Sequence, residues 1–492
     1  MTTARRHGDL PAAVHLVGIG GMHMSAIAQI LLRNGRRVTG SDQMPSSLTE
    51  KLRAMGADVR YGHAADHVGD VDLVVATAAV RPDNPELLEA GRRGIPVISR
   101  AAMVARLMEG RTGVCVAGTH GKTTTSSMIA WMLREAGRDP SFLLGGESVD
   151  LGTNAWAGEG DAIVVEADEY ARAFLEYRPA IAVITNVEFD HLEYYGSIEA
   201  YEDAFRSFMQ RVPADGVLIA CGDGRRLPAL AVERYAAPVE IYRLLRQPER
   251  TAAQPWDERR IRAYAGGASP FSQPPEPTWW AVDAGIGDAG GSVIEVFRSG
   301  DYLGRFTLIV PGEHMAENAL GAIAAGYRLG LPVEAMQAAL ASFRGARRRF
   351  EFVGEAQGIT AIDDFAHHPT EIRVNITAAR ERYPGRRLIV VFQPHTYSRT
   401  SYLFDQFTEC FKEADRLFVL ETYASRESPE AGLAAVDLAS AVKSPPCDYV
   451  RTAEDAADRL LAELRSGDVL VTMGAGDVDR VGRAVIEALR ES

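Results

Sequence analysis

Cysteine is scarce. Four occur in 492 residues, Cys115, Cys221, Cys410 and Cys447, and no two of them form a CxxC pair. That pattern excludes a zinc framework and a disulfide scaffold, and it suits four reduced thiols in a cytoplasmic protein. Basic residues are also in deficit: 53 Lys and Arg stand against 66 Asp and Glu, a formal net charge of −13. Non-specific nucleic-acid binding needs the opposite balance, so no nucleic-acid partner is expected. A small anion is not excluded, because a few local cations and helix N-termini hold phosphate inside an acidic protein. Long apolar runs are missing as well. Residues 1–10 are polar, the run 12–19 stops at Gly20-Gly21 without a small-residue cleavage site, and no stretch approaches ~18 uninterrupted apolar residues. Neither secretion nor membrane insertion is expected. No short-period repeat is present, which argues against a solenoid.

The apolar share of 46% and the charged share of 24% match an ordinary globular chain, which excludes wholesale disorder. At about 150 residues per domain the length predicts about three domains, each able to bury its own core. Short β-branched runs alternate with helical stretches, the pattern of βαβ units on parallel sheets. A first block has strands at 14–17, 37–39, 73–76 and 96–98, and a helix marked by Met24, Ile27, Ala28, Leu31 and Leu32. A second has strands at 114–117, 163–165, 181–184 and 217–219; a third has them at 359–362, 388–392, 417–420 and 469–472. The expected fold is α/β in three domains. These are a Rossmann-like domain over 1–109, a central P-loop ATPase-type domain over 110–343 and a Rossmann-like C-terminal domain over 344–492. Residues from about 247 to 291, Pro- and Ser-rich near 269–275, read as a surface elaboration between antiparallel strands. Trp279-Trp280 reads as a strand packed on the core, and His63 with His67 as a solvated face.

The strongest local signal is Gly118-Thr119-His120-Gly121-Lys122-Thr123-Thr124, directly after the strand at 114–117 and before helical spacing at Met128, Ile129, Met132 and Leu133. Glycines let backbone N–H groups wrap a phosphate, and the helix N-terminus adds its positive end. Lys122 then neutralises β- and γ-phosphates and the Thr123 hydroxyl can ligate Mg²⁺. Val116 stands where GxxxxGK[ST] wants glycine, so the match is to a shorter GxxGK[ST] form. ATP or GTP binding follows. Glu166, at the end of the strand at 163–165, and His191, just past the strand at 181–184, fall in the same crevice outside the strand ends, where a carboxylate and an imidazole suit bound Mg²⁺. In the first block Gly18-Ile19-Gly20-Gly21, with Asp42 twenty-four residues after Gly18, looks like a dinucleotide fingerprint whose third glycine is replaced by His23.

Taken together, these blocks resemble the Mur ligases. The resemblance is carried further by Glu166-Ala167-Asp168-Glu169, Thr185-Asn186 with Asp190-His191, Pro311-Gly312-Glu313-His314 with Asn318, and Arg348-Arg349-Phe350-Glu351. Asp363-Asp364-Phe365-Ala366-His367-His368-Pro369-Thr370-Glu371, Gln393-Pro394-His395-Thr396-Tyr397-Ser398-Arg399-Thr400 and Gly474-Ala475-Gly476-Asp477 complete it and point to the alanine-adding branch. The resemblance implies a cytoplasmic ligase of peptidoglycan synthesis, monomer or homodimer, with ATP and Mg²⁺ as cofactors. It would join L-alanine to the lactyl carboxylate of UDP-N-acetylmuramate through an acyl phosphate. Lys122, Glu166, His191, His367 and Arg399 are then the catalytic candidates, with Thr123, Glu166 and His191 on the metal. Gly118, Thr119, His120, Gly121, Lys122, Thr123, Thr124, Asn318, Arg349 and Asp364 would bind ATP. Gly18, Gly20, Gly21, Asp42, Asn84 and Arg100 would bind the UDP-sugar.

Within the alanine site, Arg399 is expected to grip the alanine carboxylate as a bidentate fork, with His395 a lesser partner. His367 is expected to orient the amine or take its proton, because imidazole titrates near working pH. His368 and Thr370 read as caps of a helix starting near Pro369. Arg347-Arg348-Arg349 is a cationic run that the phosphate role explains in part. Three positions depart from the family pattern: Met22-His23 in place of a small residue and glycine, Ala171 in place of aspartate, and Met315 in place of asparagine. Other readings stay open: a recycling ligase that adds a murein tripeptide to the same sugar nucleotide, a nicotinamide-dependent oxidoreductase, and a nucleotide-binding regulator without catalysis.

Overall fold

The computed structural model describes residues 10–77, 80–223, 226–246, 276–425 and 427–491. Its α/β elements form three sheets. The first contains β1 (Ala13–Val17), β2 (Arg37–Asp42), β3 (Asp58–Tyr61), β4 (Leu73–Ala76) and β5 (Val97–Ser99). All pairings are parallel and the order is β3-β2-β1-β4-β5, the Rossmann-like arrangement. Its strands turn over at Gly18–Gly21 into the helix Met22–Arg33, which buries Met24, Ile27, Ala28 and Leu31 and leaves Leu32 half-buried.

The second sheet has ten strands: β6 (Thr112–Ala117), β7 (Ser141–Ser148), β8 (Thr153–Trp156), β9 (Ala162–Glu166), β10 (Ile181–Ile184), β11 (Val217–Cys221), β12 (Val239–Leu245), β13 (Trp279–Ile286), β14 (Ser292–Arg298) and β15 (Asp301–Thr307). Their order is β15-β14-β13-β12-β11-β10-β6-β9-β7-β8. The central strands are parallel and near-continuously apolar because helices cover both faces. On one face the helix Glu313–Arg328 packs against the helix Lys122–Glu135. It approaches closely because its facing positions are small: a Cβ at Gly326 would fall 2.7 Å from Met336 Sδ and 3.4 Å from Met132 Cε. The C-terminal sheet, β16 (Glu351–Ala356), β17 (Ile359–Asp364), β18 (Leu388–Gln393), β19 (Arg416–Leu420), β20 (Cys447–Val450) and β21 (Val469–Gly474), runs β16-β17-β21-β18-β19-β20 with only β16 antiparallel.

Three expectations need correction. The elaboration at 247–291 is not bounded by antiparallel strands: β12 and β13 pair in parallel, and the antiparallel partner of β13 is β14. Its last third is β13 itself, buried because Trp279 donates to Glu240 (2.9 Å) and Trp280 stacks on Phe297 at 4.1 Å; residues 247–275 lie outside the described ones. His63 and His67 are not a solvated face. Both lean on Glu86 (2.9 and 3.8 Å), a carboxylate buried beneath the first sheet, which His15 and Ser41 also contact at 2.8 and 2.7 Å. Nor are the three cores wholly separate, although the first sheet keeps a cluster of its own around Val17, Val68 and Val74. The helix Met22–Arg33 packs on β7 and β8, so residues from Leu16 and Ile27 through Phe142 to Phe343 form one continuous apolar cluster. Gln29 and Thr153 sit in this junction, Gln29 donating to Asn154 at 2.9 Å. The C-terminal sheet keeps its own clusters on its two faces. The cysteines are free thiols, three of them buried. No described helix is long and apolar enough to cross a membrane.

A shared core makes the first two sheets one cooperative unit. Calorimetry is expected to resolve two unfolding transitions instead of three, and Ile27→Ala, at about 2–4 kcal/mol for a truncated core isoleucine, to lower the transition containing both sheets while leaving the C-terminal one in place.

Candidate active site

The phosphate loop is formed by the turn from β6 into the helix Lys122–Glu135. Gly118 and Gly121 have φ of +140° and +80°, conformations that favour glycine. A side chain at Gly121 would also collide with Asn318, whose Oδ1 lies 2.4 Å from the built Cβ position. Asn318, on the helix Glu313–Arg328, therefore sits against the loop from the far side. Lys122 bends back over the loop, donating to the carbonyls of Gly118 (2.6 Å) and Thr119 (3.2 Å) and to both oxygens of Glu169 (2.8 and 3.1 Å). Burial works against its charge, but Glu169 and Glu166 outweigh burial and raise its pKa, so the ammonium stays charged.

The expected metal ligands stand around this lysine. Glu166 accepts from the Gly145 N–H at 2.7 Å, and its carboxylate occupies the space a Cβ at Gly145 would need. Thr123 faces the adjacent Gly146. His191, held at φ +55°, places Nε2 3.9 Å from both Glu169 and Asp190. Glu169 is the residue sequence reasoning quoted without assigning: it is buried between Lys122 and His191. Its signal was present in the acidic run at the end of β9.

A cleft of ≈ 600 Å³ opens beside the loop, lined by His120, Gly121, Thr124, Asn318, Arg349 and Asp364 among others. Asp364, expected to bind ATP, is already engaged: its oxygens accept the N–H groups of Phe350 and Ala366, each at 2.7 Å. Burial pushes its pKa up to about 7 although Arg349 pulls it down. The cationic run divides. Arg348 turns inward to Asp363 (3.0 Å) and to the carbonyls of Gly474 and Gly476, and Arg349 alone lines the cleft.

The C-terminal domain is fastened to the loop and to the segment after β10 by polar contacts. His120 bridges Glu188 (Nε2, 3.2 Å) and Glu371 (Nδ1, 3.0 Å); Thr370 donates to Glu188 at 3.0 Å; Arg399 forks onto Asp190 at 2.8 and 3.0 Å. Thr370 is thus an interdomain donor and not a cap: its own N–H is the group that His368 caps. His368 does cap the helix Pro369–Arg382. His120, Glu188 and His368 also lie within reach of one ion. They suit none here, because both His120 nitrogens face carboxylates and His368 Nδ1 accepts the Thr370 N–H, leaving its proton on Nε2.

At the alanine site one candidate is already engaged and the expectation for another changes. The Arg399 fork holds Asp190, not an open space: the void among Asp190, His191, Ser398 and Arg399 is ≈ 20 Å³, about one water. Burial opposes ionisation of Asp190, but Arg399 outweighs it and holds that carboxyl far below the usual range. His367 does not titrate near neutral pH. Burial, aided by Arg399 and His395 and opposed by Glu371, lowers it to about 3, and its Nδ1 donates to the Phe365 carbonyl at 2.9 Å. His395 accepts from Arg399 at 2.7 Å and is lowered to about 4, mainly by burial.

A second cavity, ≈ 1290 Å³, lies between the first two domains and is lined by Gly18, Gly20, Gly21, Asp42, Asn84 and Arg100, all six of the expected UDP-sugar residues. Asp42 accepts from the Gly20 N–H at 2.8 Å, Asn84 caps the helix Pro85–Arg92, and Arg100 pairs with Asp168 of the middle domain at 2.9 Å.

The His120 clasp has a pH signature. Burial disfavours its charge, but Glu371 and Glu188 outweigh it and raise the pKa from 6.5 to about 9. A raised imidazole pKa favours the charged form in the closed, folded state. The clasp's contribution is therefore complete below pH 6.5, declines above it and is lost as pH rises through about 9. Small-angle scattering is expected to show the C-terminal domain loosening over that window, and His120→Gln to remove the step.

Comparison with known proteins agrees with this layout. Three family models match in succession: "Mur ligase family, catalytic domain" over residues 13–112, "Mur ligase middle domain" over 116–326 and "Mur ligase, glutamate ligase domain" over 348–476. A UDP-N-acetylmuramate–L-alanine ligase of Mycobacterium avium is 43% identical, covering 100% of this chain and 98% of its own. One of Roseiflexus castenholzii is 44% identical, covering 97% and 98%. The solved UDP-N-acetylmuramate-alanine ligase of Thermotoga maritima superposes with a TM-score of 0.77 at 27% identity, covering 97% of this chain and 99% of that one. A murein peptide ligase of Psychrobacter arcticus, at 24% identity and a TM-score of 0.69 over 97% and 98%, shares the fold. The chain belongs to the Mur ligase family.

Proposed function

We propose that this chain is the ATP-dependent ligase that joins L-alanine to the lactyl carboxylate of UDP-N-acetylmuramate, releasing ADP and phosphate. One observation carries the reading beyond kinship. The loop bearing Lys122 is clasped through His120–Glu371, and the neighbouring segment after β10 through Asp190–Arg399, to the C-terminal segments that bear His367, His395 and Arg399. A site built this way brings a phosphate donor, a carboxylate and an amine to one point.

The chemistry requires that convergence. A carboxylate resists amine attack because its charge is delocalised and oxide is a poor leaving group. Its oxygen therefore attacks the γ-phosphorus, the bond to ADP breaks, and an acyl phosphate forms. The alanine ammonium gives one proton to solvent water, the free amine adds to the carbonyl carbon, and the tetrahedral intermediate expels phosphate, which takes the second amine proton and leaves as hydrogen phosphate. Each partner is anionic, so cations must offset their repulsion. Lys122 exchanges the loop carbonyls and Glu169 for phosphate oxygens, and Arg349 meets the phosphate tail. The donor set of Thr123, Glu166 and His191 fits Mg²⁺, two hard oxygens and an imidazole beside the loop. When bound, Mg²⁺ would supply further neutralisation of phosphate charge. Asn318, which lines the same cleft beside Gly121, is assigned to ATP. Arg399 releases Asp190 to take the alanine carboxylate, so the amino-acid site opens only as that ion pair exchanges. His367, neutral across the working range, acts by accepting a hydrogen bond from the alanine ammonium and orienting it; a group lowered to about 3 does not buffer that proton.

A phosphate-release assay with ATP, Mg²⁺, UDP-N-acetylmuramate and single amino acids is expected to show turnover with L-alanine. Turnover with the murein tripeptide and none with alanine, glycine or serine would transfer the reading to a recycling ligase. Lys122→Ala is expected to reduce kcat by at least ~100-fold; a variant as active as the parent removes the phosphate role assigned to this lysine.

A further inference from the structure

We infer that His23 is a diphosphate-binding residue of the UDP-sugar site, standing where phosphate loops of this kind carry a third glycine. This rests on the proposed reading for the identity of the sugar nucleotide, and otherwise on the loop itself.

The loop Gly18–Gly21 has little left to offer a phosphate. The N–H groups of Gly18 and Ile19 both donate to the Ser41 carbonyl (2.8 and 2.9 Å), that of Gly20 to Asp42 (2.8 Å) and that of Gly21 to the Gly18 carbonyl (3.2 Å). The first helical bond runs from Ser25 N–H to Gly21 O at 2.8 Å. The amides of Met22, His23 and Met24 therefore belong to the first turn, whose positive end carries neither a side-chain cap nor an acidic residue. His23, on that same turn, is among the residues lining the ≈ 1290 Å³ cavity. Its Nε2 is buried and has no hydrogen-bond partner, the state that native structures avoid unless a ligand completes it.

Charge agrees with the geometry. Arg100 and Lys122 face the ring with positive charge, and Asp168 and Glu166 with negative charge. Burial first, then Arg100, lower its pKa, so the ring is neutral in the empty cavity and carries a single N–H. That N–H donates to a diphosphate oxygen, and Arg100 beside it supplies the countercharge. The imidazole thus replaces the close backbone approach that glycine permits elsewhere.

The test is calorimetric titration of the full-length parent, His23→Ala, His23→Gly and His23→Gln with UDP-N-acetylmuramate, with UDP and with ATP. His23→Ala is expected to weaken both uridine ligands by about tenfold, the range for a charge-assisted hydrogen bond, with ATP within about twofold and His23→Gln, which keeps a donor, within about threefold of the parent. Equal affinity in His23→Ala overturns the inference, as does tighter binding by His23→Gly, a parallel loss for ATP, or a loss confined to UDP-N-acetylmuramate. A parent that binds the sugar nucleotide but releases no alanine-dependent phosphate overturns the ligase reading and leaves His23 standing. A parent that binds neither uridine ligand overturns both.

Discussion

The cleft depends on one constraint: a cation removed from water needs a carboxylate beside it. Lys122 has Glu169, Arg399 has Asp190, Arg100 has Asp168 and His120 has Glu188 and Glu371. Removing one member of such a buried pair costs about 3–5 kcal/mol, because the other is left uncompensated. The same pairing holds each cation ready for an anion. A phosphate or carboxylate that arrives takes the place of a protein carboxylate, so the charge of the cleft is already built and only its partner changes. The net charge of −13 describes the outer surface and says little about this interior.

The partners also explain how three sheets become one site. Arg100 reaches from the first domain to Asp168, and His120, Thr370 and Arg399 tie the middle domain to the third. These two junctions differ in kind. The first is backed by a continuous apolar cluster running from β1 into the middle sheet, and burial of that sort is non-directional and persistent. The second is mostly polar, with Phe189 and Tyr402 in edge contact at 5.6 Å as its apolar element. A polar junction whose bonds can be exchanged for ligand bonds is the one suited to opening, and the proposed amino-acid site lies there.

The loops were legible because their signals are local. Gly118, Gly121 and Lys122 lie within five consecutive positions, and a strand before them with a helix after them is enough to place the amides and the lysine. The parallel strands at 114–117, 181–184 and 388–392 were legible for the same reason: a strand buried on both faces must be apolar throughout. Strand β15 escaped because it is a polar edge strand, β14 because Ser292, Glu295 and Arg298 interrupt its apolar run although it is buried, and β3 because exposed Asp58 and Arg60 flank its one buried residue, Val59. The six UDP-sugar residues were placed together by resemblance, and the cavity contains them all. Their duties were not legible, since Asp42 and Asn84 act on their own backbone.

The sequence by itself determined the α/β class, the glycine-rich strand–loop–helix and the family, because periodicity and motif spacing are properties of neighbouring residues. The tertiary structure alone decided which carboxylate meets which cation. Glu169 lies 47 residues from Lys122, Asp190 lies 209 from Arg399 and Glu371 lies 251 from His120. It also decided that His367 is neutral and that the Arg399 fork is filled. Burial and the field of distant charges set a group's protonation and partners, and neither is a property of the residues beside it in the chain.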